Sequence, residues 1–173
     1  MVSVVVVGGG SIGLLTVAAL RSQASRGASL EGGRLPPGGD APAYLQYTSG
    51  STRQPRGVVL THAQVLAHCR ALGMRLAQRV APVRGLSWLP WFHDYGLVQG
   101  LIQPLYMGAP SFLMARATFM RRPLRWLEAI ARHRITVSGA PDFAYAACVA
   151  EFQRRQPWRA DLSSWQLAVC GAE

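Results

Sequence analysis

Tyr47-Thr48-Ser49-Gly50-Ser51-Thr52-Arg53-Gln54-Pro55-Arg56-Gly57 lies between two short extended stretches, Ala43 to Tyr47 and Gly57 to Leu60. Taken alone, a loop of serine, threonine and glycine is most often a turn. Its hydroxyls and closely spaced backbone amides also suit the wrapping of phosphate oxygens, with Arg56 as a cation beside them. Downstream, Thr61 is placed to cap a helix running to about Gln78, in which Val65, Leu66, Cys69, Leu72, Leu76 and Ala77 recur at helical spacing. A strand at Leu86 to Leu89, a helical stretch from Tyr95 to Tyr106 and an extended run from Ser111 to Ala115 follow. Pro123 suits the first residue of a helix carrying Leu124, Leu127 and Ile130. Ile135 to Ser138 reads as a strand, Pro141 to Gln156 as a helix and Trp165 to Val169 as a last strand. This alternation, without internal repeats, predicts an α/β fold with a parallel-rich layered sheet.

Upstream, the composition changes abruptly to glycine and proline between Gly32 and Pro42, which reads as a linker. Before it, Val4 to Val7 is a β-branched run followed by Gly8-x-Gly10-x-x-Gly13 and a helix-like Leu14 to Leu20. That strand, turn and helix resemble the opening of a dinucleotide-binding Rossmann unit, whose glycines let pyrophosphate approach a helix N-terminus. The second strand and the acid expected about twenty residues later are poorly formed: Glu31 is at the right distance, but Arg26 to Leu30 has little strand character. Met1 to Ser22, cut off by that linker, is expected to make a strand and helix that pack poorly on the rest. Val2 to Leu20 is uncharged, yet its glycines argue against a membrane span.

The 173 residues suffice for one domain. All 18 basic residues are arginine, against 8 acids, for a net charge of +10. The lack of lysine excludes Schiff-base chemistry and the lysine of a Walker loop. The arginines are dispersed, with no run longer than Arg121-Arg122 and Arg154-Arg155, so a nucleic-acid partner is not expected. Cys69, Cys148 and Cys170 are widely spaced and have no metal-ligand pattern, which fits a reduced, cytoplasmic protein.

A second segment with chemical potential is Ser87-Trp88-Leu89-Pro90-Trp91-Phe92-His93-Asp94-Tyr95-Gly96-Leu97, after a strand end. His93 beside Asp94 fits a general base, a group that orients a carboxylate, or a packed loop histidine. Trp126, Trp158 and Trp165 read as core or rim. His62, His68 and His133 read as solvent-facing or packed, and Glu128, Glu151 and Asp161 as helix-surface or cap residues.

The stretch from Tyr47 to Gly57 resembles the phosphate-binding signature of the adenylate-forming (AMP-binding) superfamily, enzymes that activate carboxylates with ATP. Two residues depart from it: Arg53 stands where the family usually has glycine, and Arg56 where it usually has lysine. The fatty acyl-AMP ligase branch is similar at His93-Asp94, at Leu45-Gln46, Gln103 to Tyr106, Arg122 to Leu127, Ser138 to Tyr145 and Asp161 to Trp165, together spanning Ala43 to Glu173. The resemblance implies a piece of the large N-terminal domain of such an enzyme, with 1–31 as the Rossmann-like segment, 32–42 as linker and 43–173 as AMP-binding domain.

By the same resemblance Thr48, Ser49, Gly50, Ser51, Thr52, Arg56 and Gly57 would face ATP, with Thr52 also at Mg²⁺. His93 would stand near the acyl carboxylate as the catalytic residue. Gly139, Ala140, Pro141, Asp142 and Phe143 would line an acyl tunnel, and Gly171, Ala172 and Glu173 would meet adenine. The implied reaction joins a fatty acid carboxylate to AMP and passes the acyl group to an acyl carrier protein or a polyketide or peptide synthase. The family's downstream metal-binding acid and ribose aspartate have no counterpart in the sequence, so the chain is expected to be an excerpt, inactive alone. A non-catalytic remnant, and a dinucleotide-binding oxidoreductase fragment resting on Gly8 to Gly13, are the alternatives.

Overall fold

The computed structural model describes residues 4–7, 12–15, 39–48 and 56–171, the first two ranges as backbone only. Eight strands are present among them: β1 (Val4–Val7), β2 (Ile12–Leu15), β3 (Pro42–Thr48), β4 (Arg56–Thr61), β5 (Gly85–Ser87), β6 (Ser111–Met114), β7 (Val137–Ala140) and β8 (Leu167–Cys170). The helices are α1 (His62–Arg79), α2 (Asp94–Leu97), α3 (Gln103–Met107), α4 (Arg116–Arg121), α5 (Leu124–His133) and α6 (Asp142–Arg154), with a π-helical turn, Val98–Ile102, joining α2 to α3. Six strands form one sheet in the order β2-β1-β6-β5-β7-β8. All its pairings are parallel except β1 with β2. The fold is α/β with a parallel-rich sheet and helices, as the alternating pattern predicts. All four residues of β6 are buried, as expected of a strand covered on both faces.

Two expectations are corrected. β3 and β4 do not join the parallel sheet but pair antiparallel with each other, Thr48 opposite Arg56. The seven residues between them are too few for a parallel crossover, which takes a dozen or more. At the N-terminus Val4–Val7 is a strand, but it lies inside the same sheet, paired with β6 along its whole length. The helix expected from Leu14 is replaced by the strand Ile12–Leu15, with Gly13 opposite Val6. A run of four valines offers a ladder of hydrogen bonds, whereas Ile12 and Gly13 are weak helix starters. The remainder of that expected helix, to Leu20, lies outside the described residues.

The core gathers around Trp126 of α5, which is fully buried. Trp88 and Phe119 stack at 3.9 Å, and Trp126 meets the edges of both and of Tyr145 and Trp165. Its indole N–H donates to Ser138 Oγ at 2.9 Å, and Ser138 donates in turn to Leu86 O at 2.7 Å, so the ring is tied to both β5 and β7. Deleting such a ring costs about 3–5 kcal/mol. α5 presents this face because Leu124, Leu127 and Ile130 recur with Trp126 along one side, and it ends where Arg134 turns to a left-handed φ of 47°.

Of the two readings for Glu151, helix surface or cap, the structure selects the second, but from a buried position. Glu151 is 5% exposed, and from α6 its carboxylate accepts from Leu124 N, the first amide of α5, at 2.8 Å. Arg155 completes it at 2.7 Å. A helix start that lacks a side-chain cap of its own is thus satisfied by a neighbouring helix.

Candidate functional site

Of the hydroxyl loop, only the residues bounding it are described, at the ends of β3 and β4. Thr48 ends one strand and Arg56 begins the other, face to face in register. Ser49, Gly50, Ser51, Thr52 and Arg53 lie outside the described residues, as do Ala172 and Glu173. Gly57 is closely packed: a Cβ there would stand 3.2 Å from the Leu45 side chain. The hairpin is fastened at its base by His62 N to Ala41 O and Ala63 N to Gly39 O, and Gln46 Nε2 donates to Phe92 O at 3.4 Å. That last bond links the hairpin to the loop bearing His93.

His93 follows the C-terminal end of β5 and stands at the N-cap position of α2. Its Nδ1 lies 2.7 Å from Asp94 Oδ1 and 3.3 Å from Tyr95 N. One nitrogen cannot donate to the first and accept from the second at once. The shorter contact, together with Tyr95 N donating to Asp94 Oδ1 at 2.6 Å, assigns the Nδ1 proton to the carboxylate. In the neutral ring Nε2 then carries the lone pair, and Asp94 fixes the tautomer. Both side chains are more than half exposed, so the pair is open to a ligand. The turn needs Gly96, because a Cβ there would overlap Pro90 O.

Gly139 and Ala140 close β7, Pro141 precedes α6, and Asp142 and Phe143 form the first turn of α6. Gly171 directly follows β8. His93, Pro141 and Gly171 therefore follow the C-terminal ends of three parallel strands, where open α/β sheets bind ligands.

Two clefts meet at this rim. One, of about 800 Å³ including space open to solvent, runs between α1 and the sheet, walled by Leu72, Leu76, Leu86, Met107, Leu167 and Val169. Of the five residues expected in an acyl tunnel, only Gly139 lines it. The other, of about 1060 Å³, is bounded by Tyr44, His68, Asp94, Cys170 and Gly171. Tyr95, Gln99 and Val169 line both.

Sequence reasoning named Tyr95 as part of a segment but gave it no role. Its hydroxyl is buried without a protein partner and sits against Gly139, where a Cβ would overlap it. Burial, with Tyr145 and Cys170 nearby, pushes the phenol up to about 12, so it stays neutral. Gln103 Oε1 is a second unpartnered polar atom on the apolar cleft, while its amide donates to Cys69 O at 3.1 Å. The close pairing of glycine with tyrosine arises between β7 and α2, far apart in sequence, and leaves no local signal. Among the described residues no group of three His, Cys, Asp or Glu is arranged to hold a metal ion, and no helix is long and apolar enough to cross a membrane.

Comparison with known proteins bears on this site. A family model described as AMP-binding enzyme matches residues 10–173. A medium-chain-fatty-acid–[acyl-carrier-protein] ligase, JamA of Moorena producens, is 48% identical over 134 residues, covering 78% of this chain and 22% of that protein. TtuA of Teredinibacter turnerae, with the same description, is 44% identical over 131 residues, covering 76% and 20%. Among solved structures, the fatty acyl-adenylate ligase from L. pneumophila in complex with acyl adenylate and pyrophosphate is 37% identical, with a TM-score of 0.71 over 78% of this chain and 24% of that one. The chain thus spans about a fifth to a quarter of the length of these relatives.

Proposed function

The chain belongs to the AMP-binding enzyme family, and from that premise we propose that it takes part in ATP-dependent activation of a fatty acid carboxylate to an acyl adenylate, for transfer to an acyl carrier protein. The observation that carries this reading is the pair of clefts joined at Tyr95, one apolar and one bounded by Asp94 and Gly171 at the strand ends. An alkyl chain suits the first, and a carboxylate emerging from it reaches the rim beside His93. A carboxylate oxygen attacks the α-phosphorus of ATP, the bond to the bridging oxygen breaks, and pyrophosphate leaves. The carrier thiol then attacks the acyl carbonyl, its proton is lost, and AMP departs.

Such a reaction is accelerated mainly by holding the reactants in line and offsetting charge. The hydroxyls and amides of residues 48–52 with Arg56 are proposed to hold the phosphates. His93, with its tautomer fixed by Asp94, is proposed to orient the carboxylate. The described residues hold no donor set of their own for Mg²⁺, and the hydroxyl proposed for it is that of Thr52. A dinucleotide at Gly8 to Gly13 is disfavoured, because Gly13 and Leu14, where the expected helix would begin, lie in the strand β2.

Equilibrium dialysis of the 173-residue chain with labelled ATP and with FAD tests the assignment. ATP retained in preference to FAD is the expected result; FAD retained without ATP overturns it. Pyrophosphate release from ATP and dodecanoic acid, compared with a heat-killed control, measures whether this chain supplies enough of the site for turnover. None is expected, since a small misplacement of reactants already costs about a hundredfold.

A further inference from the structure

The clefts proposed for ATP and the acyl chain lie at the C-terminal ends of the parallel strands. At the opposite ends Arg84, Thr136 and Gln166 immediately precede β5, β7 and β8, and with the end of α5 they enclose a groove of about 980 Å³. Three guanidiniums, Arg84, Arg132 and Arg134, line it beside His133. The acid nearest them is Asp161, whose Oδ2 is 3.9 Å from Arg134 Nη1 and whose Oδ1 already accepts from Ser163 N at 2.9 Å.

Part of this arrangement is structural. Arg84 donates from Nε and Nη2 to His133 O at 3.2 and 3.0 Å, closing the last turn of α5. Thr136 donates to Pro82 O, and Gln166 exchanges two hydrogen bonds with Ala81. These bonds leave two things unexplained. Arg132 has no ion pair among the described residues, and Ser164, 9% exposed, has a buried hydroxyl with no partner on the wall of the groove. A buried hydroxyl left unpaired destabilises the fold unless something answers it. His133 lies against Phe112 at 4.8 Å, and burial together with Arg132 and Arg84 holds its pKa below the ordinary value. The groove is a concave cationic surface with a spare hydroxyl.

We propose that this groove binds a phosphate-type oxyanion, with Arg132 and Arg134 as its cationic walls and the Ser164 hydroxyl as a buried donor. Guanidinium pairs match phosphate oxygens in fork geometry. A diphosphate fits the charge better than a single carboxylate, because three guanidiniums face one exposed acid. The site is separate from the adenylation rim and does not depend on that reading.

The test is a titration of the full 173-residue chain with inorganic pyrophosphate, followed by the ring resonances of its four histidines. An anion in the groove offsets Arg132 and Arg84, so at fixed pH the His133 ring resonances are expected to move toward those of the protonated ring, while the His62 and His68 resonances do not move with the anion. Arg132→Gln with Arg134→Gln is expected to weaken the response at least tenfold, and Ser164→Ala severalfold. Both arginines are exposed, so an unchanged urea midpoint certifies the fold; Arg84 is left intact because it closes α5. ADP in a parallel titration separates a free diphosphate from one carried on a larger molecule, and a His133 response to either supports the site. No shift of His133 at millimolar pyrophosphate, or a shift that the arginine variants leave intact, overturns it. Responses confined to His93 place the anion at the opposite rim and also overturn it.

Discussion

Glu151→Ala isolates a contact on which the placement of α5, and with it Trp126, depends. The carboxylate is buried and accepts from Leu124 N at 2.8 Å, so alanine leaves that amide without a partner inside the protein. An orphaned buried donor costs about 1–3 kcal/mol. Loss of negative charge at the start of α5 adds about 0.3–1 kcal/mol. The Arg155 contact at 2.7 Å adds little, because that side chain is 54% exposed and the pair is screened, so about 0.5 kcal/mol is a fair share. The sum is about 2–4.5 kcal/mol, a large fraction of the stability of an ordinary domain. Glu151→Gln keeps an oxygen for Leu124 N and is expected to lose about half as much. Urea unfolding followed by tryptophan fluorescence reads both variants, since Trp126 sits on the helix being capped. A midpoint for Glu151→Ala equal to that of the unmodified chain would refute the reasoning, as would a glutamine variant no better than alanine.

Gly96→Ala is expected to destabilise by about 1–3 kcal/mol or prevent folding, because the added Cβ meets the rigid backbone oxygen of Pro90 rather than a side chain able to move; an unchanged thermal midpoint would refute this. Gly139→Ala is expected to displace Tyr95 and also to strain the β7–β8 pairing, since Val169 O would stand 2.7 Å from the new carbon; removing the Tyr95 ring as well should therefore rescue it only partly, and full rescue would show that the strand pairing yields. Burial raises Cys148 from 9.0 to about 11 and Tyr95 from 10.0 to about 12. Stability from these neutral groups is present below their unfolded values and lost as pH rises through the folded ones. The urea midpoint is thus expected to fall between pH 9 and pH 12, and Cys148→Ala to flatten the first part of that fall. At pH 8 iodoacetamide is expected to reach exposed Cys170 before buried Cys148 and Cys69, as read by mass spectrometry of the labelled peptides.

Local chemistry explains why so much of the layered fold is legible. Thr61 reads as an N-cap, and in the structure Thr61 and Gln64 hold each other's amides at the start of α1. Pro123 reads as a helix start, and α5 begins at the next residue. The short apolar runs expected at Leu86 to Leu89, Ser111 to Ala115 and Ile135 to Ser138 fall on β5, β6 and β7, the last displaced to Val137–Ala140. What escapes the sequence is decided by partners distant along the chain. Glu151 has the composition of a surface residue, and only the approach of α5 makes it a buried cap. The π-helical turn at Val98–Ile102 falls where Gly100 packs on Ser87, a contact no periodicity encodes. The strand at Ile12–Leu15 is selected by its pairing with β1.

The same division runs through the candidate site. His93 and Asp94 are visible as neighbours, and a 2.7 Å contact between them follows readily from adjacency at a helix start. Their relation to Gly171 depends instead on parallel register, which brings the ends of β5, β7 and β8 to one rim. Tyr95 depends on more still: its ring is wedged where two clefts meet only because Gly139 has no side chain. Replacing either residue alters the boundary between the clefts. On the proposed function, a variant of Tyr95 is expected to change alkyl-chain binding more than ATP retention, and one that changed both equally would show that the two clefts act as one.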